Sequence, residues 1–127
     1  SNSMPIRLLD LAQSLRSAPA LVACNRGASG IDGVTSTALG FAASARRPTL
    51  LFTGDLALLH DLSGLLIAKR ESIPLGVVVL DDGGGGIFSF LPIAEQGAAV
   101  DFDRLFRTPH GIDLARVAAL FELDYAA

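Results

Sequence analysis

Two short apolar segments flank a helical pattern between residues 48 and 90, and this arrangement constrains the fold more than any other part of the chain. The first segment runs from Thr49 to Thr53 and the second from Leu75 to Leu80. Neither contains a charged residue, which is typical of parallel strands covered on both faces. Leucines recur at helical spacing between them, at Leu58, Leu59, Leu62, Leu65 and Leu66. The pattern predicts a strand, a crossover helix and a parallel strand.

Acidic residues beside glycine follow both predicted strands. Gly54-Asp55 follows the first, and Asp81-Asp82 with the glycines 83–86 follows the second. Since neighbouring parallel strands end at the same edge, Asp55 and Asp82 are expected to converge where open α/β sheets bind ligands. Paired carboxylates suit Mg²⁺ or Ca²⁺, and Mg²⁺ commonly joins carboxylates to phosphates. Taken singly, these residues fit a flexible turn with solvated acids equally well, but their spacing by one βαβ unit favours a metal and phosphate site.

This spacing also resembles the cofactor motif of thiamine-diphosphate enzymes, which opens with Gly-Asp and closes with Asn-Asn about one βαβ unit later. There the Asp, the second Asn and a backbone carbonyl two residues further on bind the Mg²⁺ that holds the cofactor's diphosphate. The resemblance places Asp55, Asp82 and the carbonyl of Gly84 in these roles. Asp81-Asp82 stands in place of Asn-Asn. The added charge opposite a diphosphate leaves the metal preference open, with Mn²⁺ as the alternative.

Composition limits the class of protein. The chain has 127 residues, enough for one domain with a core, and half of them are hydrophobic. The net charge of −3 provides no basic field for nucleic acid. The single cysteine, Cys24, excludes an internal disulfide framework and fits a reducing compartment such as the cytoplasm. No segment is long and apolar enough for a membrane span, and no signal peptide is visible.

The segment before the first strand predicts a helix, a strand, a glycine-rich loop and a second helix. The first helix lies within residues 1–19, the strand is residues 20–24, and the second helix runs from Val34 to Ala45. The loop between the last two has glycines at 27, 30 and 33 and suits anion binding, although it matches neither GxGxxG nor the P-loop pattern. Arg26 would lie at the strand's carboxyl edge, where a guanidinium suits bidentate recognition of carboxylate or phosphate.

The segment after the glycines begins with an apolar cluster, interpreted either as core or as the wall of a cofactor pocket: Ile87, Phe88, Phe90 and Leu91. Residues 92–111 predict a long connection with one short helical piece, Phe102 to Phe106. Asp113 predicts the cap of a last helix, Leu114 to Leu123.

Other polar residues have ordinary structural interpretations. Asp32 or Thr35 would cap the helix that begins at Val34. His60 is interpreted as a surface residue at a helix start and His110 as a turn residue. Cys24 is interpreted as a small buried apolar residue rather than as a nucleophile.

Five collinear segments are together similar to the cofactor domain of MenD-type enzymes, the 2-succinyl-5-enolpyruvyl-6-hydroxy-3-cyclohexene-1-carboxylate synthases. They are NSMPIR, NRGASGIDG with the following STALG, GDLxxxHDLxGLL, GGGIFSFLP and FxTPHG. NRGASGIDG is specific to that family among thiamine-diphosphate enzymes. The resemblance implies an α/β fold, with a mostly parallel sheet and helices on both faces. It also implies that residues 1–127 form a single diphosphate- and Mg²⁺-binding domain, trimmed at both ends or reduced.

Enzymes of that family are transferases of menaquinone biosynthesis that decarboxylate 2-oxoglutarate on thiamine diphosphate and add the succinyl unit to isochorismate. The resemblance implies that Ser3, Arg7 and Arg26 contact these acidic substrates. It implies a cofactor site around the Gly-Asp motif and the glycine turn, formed by Gly54, Asp55, Leu56, Asp82, Gly84, Gly85, Gly86, Ile87 and Phe88. Within this set, Asp55, Asp82 and Gly84 would hold the metal.

Thiamine activation in this family requires a Glu from a pyrimidine-binding domain, of the same or a partner subunit. We therefore expect no catalytic residue within this chain, no synthase activity from it alone, and a homo-oligomeric, cytoplasmic enzyme. Two alternatives stay open. One is a domain of another thiamine-diphosphate enzyme, such as a 2-oxoacid decarboxylase or acetolactate synthase, and the other is a non-catalytic module that serves only in assembly.

Overall fold

The computed structural model describes residues 1–13, 21–25 and 27–127, and within them two parallel strands form the sheet. Strand β1 (Thr49–Gly54) pairs with β2 (Leu75–Leu80) in a register that places Gly54 opposite Leu80. The predicted strands and their parallel pairing are confirmed. Both strands therefore end at the same level, and the residues after Gly54 and Leu80 leave the sheet at one edge.

Five α-helices accompany the strands in the described part of the chain. They are α1 (Met4–Gln13), α2 (Val34–Ala45), α3 (Asp55–His60), α4 (Gly64–Arg70) and α5 (Leu114–Leu120). The helices predicted near the start of the chain and from Val34 are confirmed, although Leu15 of the first lies outside the described residues. The predicted last helix is confirmed at its start, where Asp113 Oδ1 accepts a hydrogen bond from the Ala115 N–H at 2.9 Å, but it ends at Leu120 instead of Leu123. The long connection before it contains short 3₁₀ and π-helical turns, Gly86–Phe90, Pro92–Val100 and Asp103–Arg107.

The prediction of one continuous crossover helix is wrong, because the chain breaks between α3 and α4. Asp61, just after α3, leaves helical geometry, with φ −137° and ψ 39°. Its buried carboxylate accepts hydrogen bonds from the Ser36 N–H at 2.6 Å and the Ser36 hydroxyl at 2.9 Å. Asp61 therefore serves the N-terminal turn of α2, where neither Asp32 nor Thr35 forms the predicted cap. His60 correspondingly ends α3 instead of beginning a helix.

We expect Asp61→Ala to lower the free energy of unfolding by about 2 kcal/mol, since it removes both hydrogen bonds to Ser36 and an anion from a helix N-terminus. Ser36→Ala removes only the hydroxyl bond and is expected to cost about 1 kcal/mol. Urea unfolding of both variants measures the difference. An Asp61→Ala protein as stable as the parent would show that the bonds to Ser36 do not hold the break in place.

The core lies mainly on one face of the sheet. Leu51 packs with Val34 of α2 and Ala57 of α3, and Val77 and other β2 residues join this cluster. A second cluster combines Leu58, Leu65 and Phe121 with the same face of β2. The strands are less buried than the apolar segments predict, since Leu50, which points to the other face, is 56% exposed.

The predicted strand over residues 20–24 is wrong for residues 21–24, which the structure describes without strand pairing. Leu21 is 73% exposed. The carbonyl of Phe52, in β1, accepts its hydrogen bond from the Ser1 amino group at 2.7 Å, so the first residues of the chain occupy part of the strand's free edge. Cys24 is exposed rather than buried, contrary to its interpretation as an apolar interior residue.

Candidate metal and cofactor site

Asp55 is the centre of the candidate site, at the point where β1 passes into α3. Its side chain is only 4% exposed. Oδ1 accepts a hydrogen bond from the Leu56 N–H at 2.7 Å, and Oδ2 accepts one from the Gly84 N–H at 2.7 Å. The second bond joins the ends of the two strands directly. A buried carboxylate at this edge supplies the hard oxygen ligand that Mg²⁺ requires.

The glycine turn after β2 brings its backbone close to the segment that precedes α5. Gly84 and Gly85 are buried. A Cβ atom on Gly84 would collide with the carbonyl oxygen of Arg107, and one on Gly85 with that of Phe106. The Gly85 N–H donates to the Arg107 carbonyl at 2.6 Å. The turn therefore requires glycine, because two backbones approach each other closely there. A merely flexible turn would not have this requirement.

The two acids after β2 have different surroundings. Asp81 Oδ1 accepts a hydrogen bond from the Gly83 N–H at 2.9 Å, whereas Asp82 Oδ1 accepts one from the Gly86 N–H at 3.2 Å. Both side chains are exposed. Asp55 and Asp82 lie at the same edge of the sheet, as the sequence predicts. However, Asp81 is the acid that joins Asp55 in a group with His110 whose ligand atoms all lie within 4.8 Å of one another.

His110 is a site residue that sequence analysis missed. Its Nε2 lies 3.0 Å from Asp55 Oδ2 and 3.9 Å from Asp81 Oδ1, and its side chain is 10% exposed. Its position between Pro109 and Gly111 indicates only a turn. The contact with Asp55 spans 55 residues, so no local pattern could reveal it. Arg107 was missed for the same reason; its Nη2 donates to the Asp82 carbonyl at 3.2 Å.

The predicted substrate segment forms a tight turn at the start of the chain. Ser3 has a left-handed backbone, with φ 66°, and its carbonyl accepts a hydrogen bond from Arg7 Nη1 at 2.7 Å. Asn2 is 7% exposed and donates from Nδ2 to the Gly30 carbonyl at 2.8 Å. This bond fastens the segment to the glycine-rich loop. Arg26, the third predicted substrate residue, lies outside the described residues.

The apolar residues after the glycine turn are not core. Phe88 is 37% exposed and Phe90 is 77% exposed. Phe88 packs edge to face on Phe106, with ring centroids 6.0 Å apart, and Phe106 stacks on the buried Phe102 at 5.5 Å. The Phe88 ring thus packs against Phe106 on one side, while part of its surface stays accessible to solvent. This arrangement fits the pocket-wall interpretation and contradicts the core interpretation.

The fold and the site together define an α/β domain of the kind that binds ligands at the carboxyl edge of a parallel sheet. A family model described as "Thiamine pyrophosphate enzyme, C-terminal TPP binding domain" matches residues 10–127. The chain belongs to this family. The predictions of the fold class, the family and its thiamine-diphosphate cofactor are therefore confirmed.

Several curated relatives carry the name 2-succinyl-5-enolpyruvyl-6-hydroxy-3-cyclohexene-1-carboxylate synthase. The relative from Myxococcus xanthus is 54% identical over 120 residues, which cover 94% of this chain and 20% of that protein. The relative from Rubrobacter xylanophilus is 51% identical over 99% of this chain and 21% of that protein. The relative from Haloarcula marismortui is 49% identical over 98% of this chain and 21% of that protein. The chain thus spans about a fifth of the length of these relatives.

The residues at the edge fit a metal-bound diphosphate by their chemistry. Asp55 offers a buried carboxylate, and the turn at Gly84 and Gly85 leaves no room for a Cβ between its backbone and the facing one. Hard oxygen donors beside such a turn suit Mg²⁺ and phosphate oxygens. Over residues 1–13, 21–25 and 27–127, no helix combines the length and apolar character needed to cross a bilayer.

Proposed function

We propose that this chain is the diphosphate- and metal-binding domain of a 2-succinyl-5-enolpyruvyl-6-hydroxy-3-cyclohexene-1-carboxylate synthase. This enzyme is a transferase of menaquinone biosynthesis that decarboxylates 2-oxoglutarate and adds the succinyl unit to isochorismate. The observation that carries the proposal is the bond from the Gly84 N–H to the buried Asp55 carboxylate, which joins both halves of the cofactor motif. The relative from Myxococcus xanthus, 54% identical to this chain, carries that enzyme's name.

Asp55 would be the principal metal ligand, for Mg²⁺ or alternatively Mn²⁺. Asp82 and the Gly84 carbonyl would complete the protein's share of the ligands, as their positions in the motif imply. Asp82 is exposed, and within the described part of the chain its carboxylate accepts a hydrogen bond from the Gly86 N–H at 3.2 Å, a contact inside one turn. Its carboxylate can therefore turn toward the metal at small cost. The remaining members of the cofactor site are Gly54, Leu56, Gly85, Gly86, Ile87 and Phe88.

The chain's own residues would bind, orient and exclude water around the reacting groups. Bound thiamine diphosphate supplies the carbon nucleophile that decarboxylation of a 2-oxoacid requires. Ile87 and the supported ring of Phe88 would form an apolar wall beside it and would keep water from the reacting groups. Ser3, Arg7 and Arg26 would receive the carboxylates of the two substrates, because guanidinium groups suit planar carboxylates.

The partners of this domain follow from the same proposal. The aminopyrimidine of the cofactor would meet a pyrimidine-binding domain, of the same or a partner subunit, that carries the activating Glu. A homo-oligomer would supply that surface in trans. A cytoplasmic location is part of the proposal, and the free, exposed Cys24 supports it because such thiols persist in reducing compartments.

The deciding experiment compares 2-oxo acids in the full-length protein with thiamine diphosphate and Mg²⁺. With isochorismate as acceptor, we expect turnover of 2-oxoglutarate at about 1 s⁻¹ or more, and far less with pyruvate. Preference for pyruvate would assign the domain to another thiamine-diphosphate enzyme. Calorimetric titration with the cofactor and Mg²⁺ would separate both enzymes from an assembly module, which would bind neither.

We expect Arg7→Ala in the full-length protein to lower kcat/KM for the dicarboxylate substrates by about 10- to 100-fold, because a charge-assisted hydrogen bond contributes about 1.5–3 kcal/mol. The melting temperature should hardly change, since Arg7 is exposed and its recorded hydrogen bond is a local one to the Ser3 carbonyl. Arg47→Ala is the matched control, because Arg47 is also exposed but precedes β1 at the opposite end of the sheet. A less stable Arg7→Ala protein with unchanged kinetics would assign Arg7 to the fold.

A further inference from the structure

We propose that His110 is a positioning residue for the metal ligand Asp55. Its imidazole would fix the orientation of the carboxylate so that one oxygen lone pair is left for the metal. This inference rests on the proposed function, in which Asp55 holds the divalent cation. Neither the cofactor motif nor the family resemblance assigns a role to His110.

The hydrogen bonds of the ring determine its tautomer. His110 Nδ1 accepts a hydrogen bond from the Ile112 N–H at 3.0 Å, so the proton of the neutral ring is on Nε2. That nitrogen lies 3.0 Å from Asp55 Oδ2 and donates to it. Both side chains are largely buried, with 10% and 4% of their surface exposed. The donor thus faces the carboxylate in a position that water hardly reaches.

The bonds around Asp55 define which lone pair remains. A carboxylate has about four lone-pair positions, two on each oxygen. Oδ2 accepts from the Gly84 N–H and from His110, and Oδ1 accepts from the Leu56 N–H. With respect to residues 1–13, 21–25 and 27–127, the open position is therefore on Oδ1. Metal-bound carboxylates and histidines are commonly oriented by such outer hydrogen bonds, which raise metal affinity by holding the ligand in place.

His110 also connects Asp55 to the glycine turn through its own segment. In that segment the Arg107 carbonyl accepts from the Gly85 N–H at 2.6 Å, and the Arg107 guanidinium donates to the Asp82 carbonyl at 3.2 Å. The segment therefore contacts both halves of the cofactor motif. Loss of the His110 bond would release Asp55 while the contacts of Arg107 remain.

Direct ligation by His110 is the competing role, because its Nε2 lies within 4.8 Å of the nearest carboxylate oxygens of Asp55 and Asp81. Ligation through Nε2 would require the proton to move to Nδ1. There it would meet the Ile112 N–H, which now donates to the same nitrogen at 3.0 Å. Two interactions would be lost for one gained, so the geometry favours the positioning role.

The test uses three variants at His110 and one control variant of the full-length protein, with thiamine diphosphate present and Mn²⁺ as the paramagnetic probe. We expect His110→Ala to weaken Mn²⁺ binding, measured by electron paramagnetic resonance, by about 10- to 100-fold. His110→Gln should restore most of the affinity, because its amide N–H reaches the position of the imidazole Nε2. His110→Asn should not, although its shorter amide can still accept from Ile112. His60→Ala, at an exposed histidine that ends α3, is the control and should bind as the parent does.

Three results would overturn the positioning role. Rescue by Asn but not by Gln would make His110 an anchor for Ile112 alone. Electron spin echo modulation from a directly bound ¹⁴N in the parent protein would make it a ligand. Unchanged Mn²⁺ affinity in His110→Ala would remove any role at the metal while leaving the proposed function intact. Failure of the parent protein itself to bind Mn²⁺ with the cofactor would overturn the proposed function, and this inference with it.

Discussion

Replacing Asp55 by Asn is expected to abolish measurable metal-dependent binding of thiamine diphosphate. Loss of a residue that only hydrogen-bonds to a metal ligand lowers metal affinity by about 10- to 100-fold, so loss of the ligand itself should lower it by more than about 100-fold. The substitution is isosteric and removes the charge that pairs with the cation. Asn can still accept from Gly84 and His110 where the carboxylate does, because its amide oxygen has two lone pairs. Its amide nitrogen, however, would face a donor on its other side.

Asp61→Asn is the matched control for this experiment. Asp61 is also a buried acid near α3, but its carboxylate accepts both of its hydrogen bonds within the described part of the chain from Ser36. We expect Asp61→Asn to reduce stability while keeping cofactor affinity, and Asp55→Asn to lose cofactor affinity. Calorimetric titration with Mg²⁺ and thiamine diphosphate, well below the melting temperature of each variant, separates the two effects. Cofactor affinity that survives in Asp55→Asn would remove Asp55 from the metal site.

The sequence could predict the part of the fold that depends on the local spacing of apolar residues. The apolar segments that became β1 and β2 have strand length and end in glycine and acid, and the crossover requirement makes them parallel. From this the edge of the sheet that holds Asp55 follows directly. Burial of Asp55 and its bond to Gly84 are consequences of the pairing of Gly54 with Leu80.

The parts that sequence could not predict depend on partners far along the chain. The break after α3 depends on the bonds from Ser36 to Asp61, which is 25 residues away. The leucines on both sides of the break keep a helical period throughout, and this period outweighs the turn residues Asp61, Ser63 and Gly64 that lie at the break. His110 meets Asp55 only because the segment before α5 returns over the glycine turn.

The arrangement of the two acids after β2 could not be predicted from the sequence for a different reason. Asp81 and Asp82 are adjacent and chemically identical, so the motif alone assigns the metal role by spacing. In the structure each carboxylate is held by a different backbone N–H, that of Gly83 for Asp81 and that of Gly86 for Asp82. These short turn bonds decide which acid faces His110. On the proposed assignment, metal binding by Asp82 would break its bond to the Gly86 N–H.

Replacing Gly84 by Ala is expected to disrupt the site far more than the same change at Gly83. Both residues have positive φ, 76° at Gly83 and 146° at Gly84, so both changes carry a backbone penalty. At Gly83 nothing lies within 4 Å of the new Cβ, whereas at Gly84 the Cβ would collide with the Arg107 carbonyl oxygen and lie 3.2 Å from that of Thr108. The pair of variants therefore separates the cost of backbone conformation from the cost of lost space.

We expect Gly83→Ala to cost about 1–2 kcal/mol of unfolding free energy, the usual penalty for a left-handed alanine. Gly84→Ala should cost more than about 3 kcal/mol, since its φ is essentially restricted to glycine and the facing backbone must also move. Because that movement takes the Gly84 N–H away from Asp55, cofactor affinity should fall by about 10- to 100-fold, as the loss of an outer partner of a metal ligand commonly produces. Urea unfolding and calorimetry measure both quantities. Equal losses in the two variants would mean that the turn tolerates a side chain at Gly84, and that its closeness to Arg107 does not shape the site.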